Sequence, residues 1–184
     1  EFLTSGSRGW AKYYSDMGRA FLRIQNLVNG VLDDSDLAFV QPPDSAEAKR
    51  TLVQENDLLI SITADLGRVA VVPAHHSGKA HINQHIALFR MTSRMNPHFV
   101  AVFLATAAGQ RQFAALDRVG VKSGLNFTDI RNLRILAPEL PLQQRFLETV
   151  TAIRLQKTQQ TSTLAEQDSL FASLQSRAFS GTLQ

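Results

Sequence analysis

Residues Pro138 to Leu183 read PELPLQQRFLETVTAIRLQKTQQTSTLAEQDSLFASLQSRAFSGTL. Between Leu142 and Phe179 there is neither proline nor glycine, so no backbone breaker interrupts a helix. Phe146, Val150 and Ile153, then Leu164, Phe171, Leu174 and Ala178, recur in steps of three, four or their sums, the period of a helix with one apolar stripe. Lys157, Gln160 and Gln167 fall on the same face, so the stripe is strong at its ends and polar in its middle. Pro141 stands where a proline can open a helix and Gly181 lies just past its end. A continuous helix over this run is about 55 Å long, too long for a small domain to bury along its length. It calls for a partner, and the six apolar residues Phe146, Val150, Ile153, Leu164, Phe171 and Leu174 are the expected pairing positions.

The rest of the chain reads as the domain that carries this arm. Its 184 residues are 44% hydrophobic and 19% charged, globular values that exclude wholesale disorder. A net charge of +3 permits nucleic-acid binding without requiring it. With no cysteine, disulfides and thiolate zinc sites are excluded, and a reducing, cytoplasmic setting fits. No apolar run reaches the ~18 residues of a membrane helix. The opening EFLTSGSRGW is not a signal peptide and reads as the middle of a longer gene or a processed piece.

Residues 1–20 suit a loop with a short ordered piece, and Phe21 to Gln25 a short strand. Asn29-Gly30 is a turn signal, and Ser45 a helix N-cap for residues 45–52. Asp57 to Pro73, DLLISITADLGRVAVVP, is the most strand-like region: Leu58–Thr63 and Arg68–Val72 flank a tight turn at Ala64–Gly67. Ala80 to Met91 alternates as one further strand with a wet face, and Pro97 to Leu116 as a helix interrupted near Gly109. Gly120 to Ile130 reads as a loop and Leu133 to Leu136 as a last strand. The expected architecture is α+β: a β-rich domain over 1–140 with short helices, then a long coiled-coil-type helix over 141–184.

Chemistry-bearing constellations are few. His75, His76, His81 and His85 invite a metal, and His81/His85 has the i, i+4 spacing of a helical pair. On a strand, residues four apart are separated by roughly 13 Å, and no acidic residue falls among them; a solvated polar face is expected instead, with no metal or other cofactor. Pro43-Asp44 and Glu47-Ala48-Lys49 imitate a metal-nuclease pattern, but with a two-residue spacer in a loop rather than acids on adjacent strands. No nucleotide-binding glycine loop or nucleophile elbow occurs, so no catalytic residue is expected. Ser5, Ser7, Arg8, Trp10, Lys12, Tyr13 and Tyr14 mix hydroxyls, cations and aromatics, which suits phosphate and base contacts or, equally, an N-terminal lobe whose Trp10 and one tyrosine are core. Lys122, Ser123 and Asn126 lie in a glycine-flanked segment where backbone could approach a phosphate, or could simply turn.

In their order, TSGSRGWAKYY (4–14), NDLLISITADLGRVAVVP (56–73), HINQHIALFR (81–90), KSGLNFTDIRNLRILAPELPLQQ (122–144) and LQSRAFSGTL (174–183) resemble one half of the specificity subunit of type I restriction–modification enzymes. Two positions depart from the family pattern: Gln143-Gln144 replace an acidic residue at the helix start, and Ala64 stands where a glycine is common. The resemblance implies a non-catalytic reader of double-stranded DNA with one target-recognition domain. Its long helix would space half-sites, dock methyltransferase subunits and through them the restriction subunit, and allow a homodimer. On that footing the expected DNA contacts are Ser5, Ser7, Arg8, Trp10, Lys12, Tyr13, Arg68, Lys79, Lys122, Ser123 and Asn126. The competing expectation is a protein-interaction module whose helix is its functional surface.

Overall fold

The computed structural model describes residues 2–117 and 124–180. Lys122 and Ser123 lie outside the described residues. The strands are β1 (Phe2–Ser5), β2 (Tyr14–Ser15), β3 (Arg19–Leu22), β4 (Leu27–Val28), β5 (Val31–Leu32), β6 (Ala38–Val40), β7 (Leu58–Ser61), β8 (Val69–Val71), β9 (Ala80–Ile82) and β10 (Ile86–Arg90). The helices are α1 (Ala46–Thr51), α2 (Pro97–Ala105), α3 (Ala107–Leu116), α4 (Phe127–Arg131) and α5 (Leu140–Phe179). The chain divides into two compact units, Glu1–Leu140 and Pro141–Gln184.

In the first unit, one antiparallel sheet runs β1-β10-β7-β8 and a second, mixed sheet runs β2-β6-β3-β9. The run Leu58–Ile62, apolar except for Ser61, is explained by burial on both faces of the first sheet. Leu58, Ile60, Val69, Val71 and Ala87 face one way and meet Val100, Leu104, Phe113 and Ile130 of the helices. Leu59, Ala70, Ile86 and Leu88, at the alternate positions, face Ala20, Leu22, Ala80 and Ile82 of the second sheet. On the far side of that second sheet Phe21, Val40, Trp10 and Ala48 form a third cluster. Arg90 clamps the fully buried Asp57 through two 2.7 Å bonds, tying the end of β10 to the start of β7.

Several expected features are present. Asn29 (φ 50°) and Gly30 (φ 88°) turn β4 into β5 with both residues left-handed, as a primed hairpin turn demands. Ser45 Oγ accepts the Ala48 N–H and caps α1. β7 and β8 pair across the turn at Ala64–Gly67.

Others are corrected. Residues 1–20 are not mainly loop: β1, β2 and a 3-10 turn at Trp10–Tyr13 occupy them. The strand expected at Phe21–Gln25 is β3, ending at Leu22, and Ile24–Asn26 is a 3-10 turn held by the Asn26 side chain. The single strand expected over Ala80–Met91 is two strands in different sheets, because residues 83–85 turn the chain and the Asn83 side chain accepts the His85 N–H. Its wet face is not wet at His81, which is fully buried. The helix break falls at Thr106, which ends α2 and caps α3 with its own hydroxyl, 3.3 Å from the Gly109 N–H. Gly109 instead marks close packing, since a Cβ there would lie 2.4 Å from the Leu104 carbonyl oxygen. The expected loop up to Ile130 contains α4, whose capping box joins Asn126 to Asp129. Leu133–Leu136 forms no strand; Leu133 and Ile135 pack on the helix-side core without a neighbouring strand to pair with.

In the second unit, α5 is a 40-residue helix, about 60 Å long at 1.5 Å per residue. From Thr151 to Ser180 every residue is exposed. No single helix among the described residues is long and apolar enough to cross a membrane.

Candidate nucleic-acid interface

The second sheet and its surroundings carry exposed cations and an exposed tyrosine. Tyr14 of β2 and Arg19 of β3 both pair with Val40 of β6, so all three side chains stand on one face. Phe21 and its parallel partner His81 share that face, on which Trp10 and α1 lie. Tyr14 and Arg19 are exposed, and Lys79 adjoins them, its carbonyl accepting the Ala20 N–H at the start of β9. Arg19 and Lys49 also line a groove of 590 Å³ with Gly18, Pro42 and Pro43. Arg8 and Lys12 flank Trp10 and are exposed, with the Lys12 ammonium 5.0 Å from the Tyr13 ring centroid. Among the described residues, no acidic side chain pairs with Arg8, Lys12, Arg19 or Lys79. Arg19 on the sheet, Arg8 and Lys12 beside Trp10, and Lys79 just before β9 together offer an attractive surface for a polyanion.

Beneath this face is a saturated polar relay. Thr51 Oγ1 donates to the Glu47 carbonyl (2.9 Å), leaving its lone pairs for Ser7 Oγ (3.1 Å) and His81 Nδ1 (3.2 Å). Arg19 has only donors, so His81 Nε2, 3.4 Å from Arg19 Nη1, is the acceptor and Nδ1 carries the proton. Burial, and then the Arg19 charge, lower the His81 pKa to about 4, keeping the ring neutral for that role. A buried imidazole thus positions an exposed guanidinium.

The relay changes the standing of several expected contacts. Ser7 and Trp10 are buried, so they cannot present themselves to a ligand. Ser7 serves the relay; Trp10 stacks on Phe21 and donates its indole N–H to Glu47 Oε2 at 3.1 Å. Glu47 also accepts the Arg8 N–H, at 3.3 Å, which disposes of it as a metal ligand of a nuclease pattern. The Ser5 carbonyl is occupied by Arg50 Nη1 at 2.6 Å, and Tyr13 is half-buried against the Trp10 cluster. TSGSRGW is therefore chiefly a structural splice from the first sheet to the second. Arg68 is remote from this face; it stands at the β7–β8 turn, paired with Asp65. The Leu125 N–H donates to the Ile62 carbonyl, placing the α4 start beside that same turn. Asn126 is consumed there as the cap of α4. Of the described candidates, Arg8, Lys12 and Lys79 thus remain available on the sheet face.

Tyr14 belongs to the cation–aromatic segment already singled out in the sequence, whereas Arg19 and Lys49 are not among the expected contacts. Arg19 becomes visible only through the Tyr14–Val40–Arg19 register, because β3 is too short to show alternation. The sequence reading also missed that Asp34 meets His75 and His76, from a loop 41 residues earlier.

A two-sheet domain with one basic, aromatic-edged face, followed by a forty-residue helix, is the build of a recognition domain with a helical arm. A family model described as the type I restriction modification DNA specificity domain matches residues 20–167, and the chain belongs to that family. It is 24% identical over 178 residues to the type I restriction enzyme EcoBI specificity subunit of Escherichia coli, covering 90% of this chain and 36% of that protein. The fold is shared with solved chains at lower identity. A type I restriction–modification assembly contains one with a TM-score of 0.67 at 19% identity, over 98% of this chain and 44% of that one. The HsdS subunit of Thermoanaerobacter tengcongensis gives 0.60 at 19%, over 99% and 43%. The S subunit of M. genitalium gives 0.53 at 14%, over 94% and 41%. The chain spans little more than a third of its curated relative and less than half of each solved one. The α+β domain with a long C-terminal helix agrees with the expected fold class.

Proposed function

We propose that this chain is a non-catalytic DNA reader, recognising one half of a bipartite target within a cytoplasmic type I restriction–modification complex. The observation that carries the reading is the family match across residues 20–167. The basic face supports it: Arg8, Lys12, Arg19 and Lys79 hold phosphates and set the register, while Tyr14 and neighbouring loops approach base edges in the major groove. In this reading α5 spaces half-sites and docks the methyltransferase subunits, through which the restriction subunit joins. Its length of about 60 Å is under two turns of DNA at roughly 34–36 Å per turn.

Selection from a random duplex library, with the chain bound to its methyltransferase partner, tests the proposal. A single short motif is the expected result; recovery of sequences with no shared motif overturns it. Arg19→Ala and Lys12→Ala should each weaken binding to the selected and an unrelated duplex alike. Each should also reduce the slope of log affinity against log salt by about one. Unchanged slopes in both would move the interface off this face.

A further inference from the structure

Asp34, His75 and His76 form a cluster that DNA recognition does not use. His75 Nε2 lies 2.9 Å from one Asp34 oxygen and His76 Nε2 lies 2.8 Å from the other. All three ligand atoms fall within 4.8 Å of one another. The imidazoles are neighbours on a 3-10 turn, 4.4 Å apart between ring centroids, so both Nε2 atoms converge on one carboxylate.

We propose that Asp34, His75 and His76 form a binding site for a divalent first-row cation of the zinc class. Two imidazole nitrogens and a carboxylate oxygen are donors suited to such a cation, and the absence of cysteine disfavours the softer ones. Binding needs each imidazole proton on Nδ1, which frees the Nε2 lone pair for the metal. Tetrahedral ligation at about 2.0–2.1 Å sets ligand atoms roughly 3.3 Å apart, so the present contacts must open by about half an ångström. His75, with 63% of its side chain exposed, has room to make that adjustment, whereas the His76 side chain is only 9% exposed.

Both sides of the site are held in place. The His76 N–H donates to the Pro73 carbonyl and Lys79 donates its N–H to the His76 carbonyl. Opposite, the Asp33 carboxylate accepts the Ser35 N–H, and Asp36 is paired with Arg23 at 3.1 Å. Three protein ligands leave a fourth position for water, and the ion would fasten the loop between β5 and β6 to the turn that follows β8.

The experiment is titration of the untagged, chelator-treated chain with Co²⁺ followed by visible absorption, with Zn²⁺ as competitor. Expected are one equivalent of low-symmetry Co²⁺, its displacement by Zn²⁺, and a higher melting temperature with Zn²⁺. Asp34→Asn and His75→Ala, both at exposed positions that leave the core intact, should each weaken binding at least about tenfold and abolish the thermal shift. His85→Ala should change neither. The proposal is overturned by the absence of saturable Co²⁺ uptake, or by uptake that the Asp34→Asn, His75→Ala double variant leaves unaltered.

Discussion

His81 shows how a single residue can be misjudged when its pairing is unknown. Alternation along HINQHIAL places it on the polar side of a strand, and that assignment is right about the face but wrong about water, because Trp10 covers it. The consequence is a pH dependence. Unfolded, the ring titrates near 6.5; folded, near 4. Between those values the unfolded chain binds the extra proton, so stability is complete above pH 6.5 and falls as pH drops toward 4. The loss is on the order of 3 kcal/mol. Urea midpoints measured across that range should therefore slope in the native protein. In His81→Phe, where Thr51 keeps its bonds to Ser7 and Glu47, they should lose that proton's share of the slope. Equal slopes in both proteins would remove His81 from the relay's electrostatics.

Among the elements, legibility followed the number of signals that agreed. Asn29-Gly30, Ser45 and the β7–β8 hairpin each combine a local conformational preference with the packing around it, and the structure has all three. Where Leu133–Leu136 had only β-propensity, no strand formed, since propensity supplies no partner. TSGSRGW was the converse: its polarity suggested a ligand, whereas its role is a crossing between sheets. The Gly6 N–H donates to Ile86 and the Ser7 N–H to Ile82, and a Cβ on Gly6 would lie 1.9 Å from the Asn83 carbonyl oxygen. Such contacts come from residues 75 to 80 positions away and leave no mark on the heptapeptide itself. The β7–β8 turn offers a test of local strain. Ala64 holds φ at 62°, a conformation costing an L-residue roughly 1–2 kcal/mol. Ala64→Gly removes that cost while adding unfolded-chain entropy, so a net gain of about 0.5–1 kcal/mol in thermal or urea unfolding is expected. A destabilised variant would show that the Ala64 methyl group contributes packing that exceeds the strain.

For the whole molecule, the open matter is what covers α5. Residues 146, 150, 153, 157, 160, 164, 167, 171, 174 and 178 follow one another in alternating steps of four and three, the 3.5-residue repeat of a coiled-coil seam. Toward its C-terminal end the seam's large apolar members are exposed: Leu164 58%, Phe171 62% and Leu174 42%. A second copy of the chain would complete a two-helix seam, and two copies would also supply the second recognition domain that a bipartite target needs. Light scattering should then report twice the 20.3 kDa chain mass. Phe171→Ser with Leu174→Ser should return it to one chain without loss of the first unit's thermal transition. Seam positions Lys157, Gln160 and Gln167 weaken such a dimer while fixing its register. Gln160→Leu with Gln167→Leu is therefore expected to lower the dimer's dissociation constant. If the native chain is monomeric and these leucines still leave it so, the seam belongs to a different protein, and the methyltransferase subunit becomes the partner to test against the same four substitutions.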